Sequence, residues 1–289
     1  MMKLTVKAYA KLNLTLDIQG MLPNGYHSIE SVFQSISLHD ILTIESGVGD
    51  ISVSCSNENV PTNQDNICYK AVELFLKRAG IRDGVAIHIE KHIPEAAGMG
   101  GGSADAAATL VGLNEIYRHI LSDADINELA VLLGADVPFC TLGGAYLATG
   151  MGEILQPLKS CPDCDIVLVK QGTKPSTAEM YRSFDKNGVP CHPDTAAEIY
   201  ALQEGSLENV AKYVLNCFAP IWGAEISDIK FRLINCGALT AELTGSGPTV
   251  FGIFKKGTGA SAMETLRKLY PKVYLCHPEK VGLEIISKN

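Results

Sequence analysis

No run of basic residues occurs in this chain, and its formal net charge is −8 over 289 residues. That argues against nucleic acid and anionic membranes as partners, so an anionic ligand has to be met by backbone dipoles and a few placed cations. The N-terminus, MMKLTVKAYAKLNLTLDIQG, lacks a continuous apolar core and reads as neither a signal peptide nor a membrane span. The nine cysteines are odd in number and scattered, which speaks against a disulfide framework and for a reducing cytoplasm. Cys161 and Cys164 form a C-x-x-C whose one candidate complement is Cys191-His192, so it reads as a loop with two thiols rather than a zinc site. Internal repeats and low-complexity segments are also lacking. What is present, 46% hydrophobic and 19% charged residues, describes a globular protein with a sizeable core in one large domain or two.

Two common phosphate signatures are missing as well. No Gly-Lys-Ser/Thr follows the stretch Ile93–Ala108, IPEAAGMGGGSADAAA, so it is not a Walker A loop. Ser103 stands where a dinucleotide fingerprint needs its third glycine. The stretch is still ordered like a phosphate cradle. Val85, Ile87 and Ile89 alternate with polar residues as in a half-buried strand. Gly98 and Gly100 to Gly102 permit positive φ and close ligand approach, and an alanine-rich helix follows, whose unpaired N–H groups and dipole favour an anion. The same glycines also suit plain helix–sheet packing, and the loop alone does not decide between the two. Ser103 is a candidate N-cap or a hydroxyl for a phosphate or its metal. Asp105, in the first turn, suits the dipole and would repel a phosphate; its place stays open.

Residues 4–18 alternate without a break, with Leu4, Val6 and the even positions to Ile18 on one face and Lys11 and Asn13 on the other. This predicts a long strand with a single buried face and a solvated Lys11. Pro23-Asn24-Gly25 predicts a turn that presents Tyr26 and His27, an aromatic and an imidazole able to meet a planar base or simply to pack. Residues 28–38 carry no clear period, and 40–46 and 50–55 read as short strands. Asn66 caps a helix to Ala79 with Gly80 as its stop. Ser122 with Asp125 resembles a capping box for a helix that Gly134 ends. Asp136 reads as a local cap in preference to an acid held in a cleft. A hairpin over 143–158, a seam near 159–165, a buried strand over 165–170 and a capping box at Ser176 and Glu179 come next. Helices are predicted near 194–204, 206–217, 220–236 and 259–269, with strands over 239–243, 249–254, 272–276 and 282–286.

Three separated segments resemble, in order, the three motifs of the GHMP kinases, the family named for galactokinase, homoserine kinase, mevalonate kinase and phosphomevalonate kinase. They are AYAKLN (Ala8–Asn13), PEAAGMGGGSAD (Pro94–Asp105) and LTGSGPTVF (Leu243–Phe251). A finer match, carried by AKLNLTLDIQG and NGYHSIESVFQSISLHD within residues 10–40 and GADVPF at 134–139, is to the branch acting on 4-diphosphocytidyl-2-C-methyl-D-erythritol. The resemblance runs over essentially the whole chain.

The resemblance implies an α+β, two-domain architecture. A ribosomal protein S5 domain 2-like ATP-binding domain would span residues 1–158, and a ferredoxin-like substrate-binding domain residues 159–289. It implies ATP- and Mg²⁺-dependent phosphorylation of the substrate's C2 hydroxyl in the non-mevalonate (methylerythritol phosphate) isoprenoid route, by a cytoplasmic monomer or homodimer. Pro94, Glu95, Ala96, Ala97, Gly98, Met99, Gly100, Gly101, Gly102, Ser103 and Ala104 would hold the ATP phosphates, with Asn66 and Lys91 as further nucleotide-pocket residues. Asp136 would be the general base, and Lys11 would lie beside it, keeping the carboxylate ionised and favouring the developing alkoxide. Tyr26 and Tyr181 would sandwich the cytosine, His27 would read its edge, and Asn13 and Thr177 would position the substrate beside Gly245, Ser246 and Gly247. Met99 stands where leucine is common in the family, and Tyr181 where relatives carry phenylalanine; both keep the apolar or stacking character. The alternatives are another small-molecule kinase of mevalonate or homoserine type, or a non-catalytic nucleotide-binding regulator on the same fold.

Overall fold

The computed structural model describes residues 2–173, 176–187 and 191–289. A long antiparallel pair, β1 (Lys3–Met21) and β2 (His27–Val48), runs through its centre. The tight connection between them is the expected turn, in which Tyr26 N donates to Asn24 Oδ1. Next come β3 (Ser52–Cys55), α1 (Ile67–Ala79), β4 (Gly84–Glu90), α2 (Gly101–Ile116), α3 (Asp123–Leu133), α4 (Val137–Leu142), β5 (Ala145–Thr149) and β6 (Ile154–Leu158). The second half holds β7 (Asp165–Lys170), α5 (Thr177–Asn187), α6 (Thr195–Glu204), α7 (Leu207–Tyr213), β8 (Leu215–Asn216), α8 (Ala219–Trp222) and α9 (Ala224–Asn235). It closes with β9 (Thr240–Leu243), β10 (Thr249–Phe254), α10 (Gly259–Arg267), β11 (Val273–Cys276) and β12 (Leu283–Lys288).

Two sheets carry these elements. The larger runs β12-β1-β2-β4-β3, with β5 and β6 continuing from β2 and β8 beside β1; the smaller runs β11-β7-β10-β9. The chain's last strand therefore returns to the sheet of its first. Helix α2 lies against β1 and β2 with its alanines fully buried, and a side chain at Gly112 would stand 2.5 Å from Ile44 Cδ1. No helix among the described residues is long and apolar enough to cross a membrane.

Local signals predict local structure well. The caps at Asn66, Ser122 with Asp125, and Ser176 with Glu179 all form. Four expectations are corrected. Residues 28–38 and 40–46 form one strand, because Ser31 to Ile36 are buried on both faces and the period is lost. The helix predicted over 206–217 stops at Tyr213, and Leu215–Asn216 pair in parallel with Thr15–Leu16. The helix predicted over 220–236 is interrupted at Gly223, whose φ is 65°.

The fourth correction is to the single buried face of β1, which is buried on both sides from Ala8 to Ile18. Bulges between Tyr9 and Ala10 and between Asn13 and Thr15 reverse which side the even residues take. Leu4, Val6, Ala8, Leu16 and Ile18 enter one core cluster, while Ala10, Leu12 and Leu14 enter another. Between the bulges the odd residues, Lys11 and Asn13, are turned to the α2 side.

Candidate active site

The bulged segment of β1 forms the floor of a cavity of about 1370 Å³. Lys11 is 4% exposed there, with its ammonium 4.5 Å above the Phe33 ring. Its Nζ donates to Asn13 Oδ1 at 2.9 Å and lies 3.4 Å from Asp136 Oδ2. Asp136 stands where α4 begins, yet its side chain makes no capping hydrogen bond. The local-cap reading is thus overturned. Its carboxylate is partly exposed and faces the cavity instead.

The glycine loop forms one wall. Asp40 Oδ1 accepts from His92 N at 2.6 Å and Ile93 N at 2.8 Å, fixing the loop's entry. Met99 O accepts from Lys11 N at 3.0 Å, fixing its exit beside the lysine. The N-cap of α2 is Gly100, with φ of 69° in the left-handed region, and it offers no side-chain cap. Ser103 is therefore not the N-cap but lies in the first turn. The first-turn N–H groups, not capped by a side chain, open into the cavity, which is the arrangement that favours a phosphate.

Beneath that helix end, Lys91 Nζ lies 2.6 Å from Asp40 Oδ2 and 2.6 Å from Asp105 Oδ2, all three side chains buried. This resolves the place of Asp105: at the edge of the cavity, its carboxylate is engaged by a lysine. Burial pushes its pKa up, against the pull of Lys91 and with the push of Asp40. Asn66, also expected near the nucleotide, lines the cavity while its amide caps α1 through Cys68 N and donates to Pro61 O. Glu95 accepts from Asn57.

Across the floor the third glycine segment meets the second. A side chain at Gly245 would stand 2.7 Å from Gly98 O, and one at Gly98 would collide with Thr244 O. Asn216 Nδ2 holds the segment by donating to Leu243 O and Gly245 O. Trp222 covers Gly247 and donates to Ser246 O at 3.1 Å.

At the outer end, the His27 ring stacks on Tyr181 with centroids 4.7 Å apart and planes at 18°, and His27 Nε2 is 2.8 Å from Asp185 Oδ1. Burial, then the charge of Asp136, pushes the Tyr181 phenol upward. Tyr26 is 65% exposed at the cavity mouth. The Tyr181 face expected to meet a base together with Tyr26 is occupied by His27 here. Thr177, at the start of α5, also lines the cavity.

Of the residues predicted to form the site, the cavity gathers all but two. Ala104 is buried within α2, and Gly247 lies behind Trp222. Asp40, Phe33, Asp185 and Trp222 contribute without having been singled out. Phe33 and Asp40 carried a signal, since both lie in a matched segment.

The comparisons with known proteins agree on one family. Residues 66–144 match the model of the GHMP kinases N terminal domain, and residues 199–272 that of the GHMP kinases C terminal. The 4-diphosphocytidyl-2-C-methyl-D-erythritol kinase of Alkaliphilus metalliredigens is 41% identical over 280 residues, 95% of this chain and 96% of its own. The chain belongs to the GHMP kinases. Another relative of that name, from Caldanaerobacter subterraneus subsp. tengcongensis, is 40% identical over 289 residues, 99% of this chain and all of its own. Among solved structures, a 4-(cytidine 5'-diphospho)-2C-methyl-D-erythritol kinase superposes with a TM-score of 0.80 at 30% identity, covering 95% of this chain and 98% of that one. A homoserine kinase from Cytophaga hutchinsonii, at TM-score 0.77 and 16% identity over 98% and 97% of the chains, shares the GHMP kinase fold.

Proposed function

We propose that this chain is a kinase that transfers the γ-phosphoryl group of ATP to the C2 hydroxyl of 4-diphosphocytidyl-2-C-methyl-D-erythritol. The observation that carries the reading is the Lys11–Asp136 pair, 3.4 Å apart, facing the open N-terminus of α2 across one cavity. Phosphoryl transfer needs positioning and charge neutralisation more than covalent help from the protein. Asp136 takes the proton of the C2 hydroxyl, whose oxygen attacks the γ-phosphorus as the bond to ADP breaks. Lys11 favours the alkoxide that develops. The loop from Pro94 to Ser103 and the first turn of α2 receive the phosphates.

Mg²⁺ fits this site through few protein ligands. Ser103 lies in the cavity wall in the first turn of α2, whereas the nearby Asp105 carboxylate is turned to Lys91. Ser103 would be the protein residue that holds the ion, which would supply charge neutralisation for the phosphates when bound with the nucleotide. Tyr26, His27, Thr177 and Tyr181 at the outer end take the cytidyl group, with Gly245 and Ser246 beside the reacting centre. The reading divides the chain into an ATP-binding part over 1–158 and a substrate-binding part over 159–289, with β12 returning to the first. It fits a cytoplasmic enzyme with nine free thiols, acting as a monomer or homodimer.

An ADP-release assay with ATP and each of three acceptors, the cytidyl substrate, mevalonate and homoserine, tests it. ADP release is expected with the first alone, and Tyr26→Ala should raise the KM for it. Release with mevalonate or homoserine instead would overturn the substrate assignment.

A further inference from the structure

We infer that Asn13 is a positioning residue for the reaction: its side-chain amide ties the Lys11 ammonium to the third glycine segment, so the lysine is aimed by the closed pair of glycine loops. This rests on the kinase reading above. Asn13 is 2% exposed and nearly every polar group on it is engaged inside the protein. Its Oδ1 accepts from Lys11 Nζ at 2.9 Å and from Gly245 N at 3.0 Å, with Thr244 Oγ1 a longer donor at 3.5 Å. Three donors converge there, so the amide orientation is fixed by its partners. Its Nδ2 donates to Ser31 Oγ at 2.8 Å, and its backbone N donates to Thr244 Oγ1 at 3.1 Å. Gly245 is itself pressed against Gly98. Asn13 thus links the lysine on the floor to the point where the two loops meet.

The choice of an amide has a chemical reason. Lys11 has three N–H donors on a flexible stem. One is held by a neutral acceptor, leaving the full positive charge directed to Asp136 and the substrate oxygen. A carboxylate at position 13 would accept the same bonds but would compete for that charge. A substrate contact at Asn13 has only the second Nδ2 proton to work with.

The test compares Asn13→Asp, which keeps size and acceptor, and Asn13→Ala, each alone and the latter also in a Lys11→Met background. Steady-state and single-turnover ADP release would be followed with ATP and the cytidyl substrate, and substrate affinity by equilibrium binding. Each single variant is expected to lose about tenfold or more in kcat, with the substrate KM changed by less than about threefold. In the Lys11→Met background, Asn13→Ala should remove less than about twofold further, because the two residues act as a unit. A raised KM with kcat intact would make Asn13 a substrate contact, and an equal loss in both backgrounds would separate it from Lys11; either overturns the inference. If Asn13→Ala does not fold, Asn13→Asp decides, and wild-type kcat in that variant also overturns it. Wild-type protein that releases no ADP with the cytidyl substrate would instead remove the kinase reading, and this inference with it.

Discussion

The Lys91 ammonium stands 2.6 Å from the Asp105 carboxylate in the first turn of α2, directly beneath the helix end that faces the cavity. A second carboxylate, Asp40, shares the same ammonium at 2.6 Å while its other oxygen holds the backbone that enters the glycine loop. One buried lysine thereby shields the cradle from two acids and fastens the loop to β2. Removing one partner of a buried ion pair leaves an uncompensated charge and costs about 3–5 kcal/mol.

Lys91→Met is accordingly expected to lower unfolding free energy by an amount of that order and to raise the KM for ATP more than that for the acceptor. Denaturant titration and initial rates check both. Unchanged stability would mean the triad is not neutralised through Lys91.

A second buried acid lies away from the site. Both carboxylate oxygens of Glu198 in α6 are buried with no hydrogen-bond partner among the described residues, and burial pushes its pKa from 4.5 up to about 8. A raised acid keeps its proton in the folded chain at pH values where the unfolded chain has released it. Its contribution to stability is therefore undiminished below about pH 4.5, falls as pH rises, and is level again above about 8. Glu198→Gln does not titrate. Its stability relative to the wild type should gain up to roughly 1.4 kcal/mol for each pH unit crossed in that window. Parallel stability curves for the two proteins would contradict this.

The apposition of the glycine loops makes a sharper demand on Gly98. Its φ is 77°, and a methyl group there would collide with the Thr244 carbonyl. Gly98→Ala should cost about 1–3 kcal/mol from backbone conformation alone and part the second motif from the third. Thermal unfolding measures the first effect, and ADP release, expected to fall much further than stability, measures the second. A fully active variant would show that the loops need not touch.

Much of this site was legible in the sequence because its signals are local. A strand, a glycine loop and an alanine helix specify the cradle in consecutive residues, and three capped helices announce their own starts. Lys11 and Asn13 were harder, since the alternation of β1 runs unbroken through two bulges that reverse its faces. Nothing in residues 4–18 reports a bulge; it is set by pairing with Phe33 to His39 on β2. Asp136 was hidden for another reason. A helix boundary with an aspartate looks the same whether the carboxylate caps the helix or leaves it, and only Lys11, 125 positions earlier in the chain, shows which. Asp40 and Asp105 are separate acids until Lys91 brings them to one ammonium.

The account turns on Asp136 as the base, and the most direct measurement is ADP release by Asp136→Asn with ATP, Mg²⁺ and the cytidyl substrate. Asparagine keeps the shape and cannot take the proton, so a loss of about 10²–10⁴-fold in kcat is expected while substrate binding is retained. An Asp136→Asn protein that turns over at the wild-type rate would contradict the mechanism.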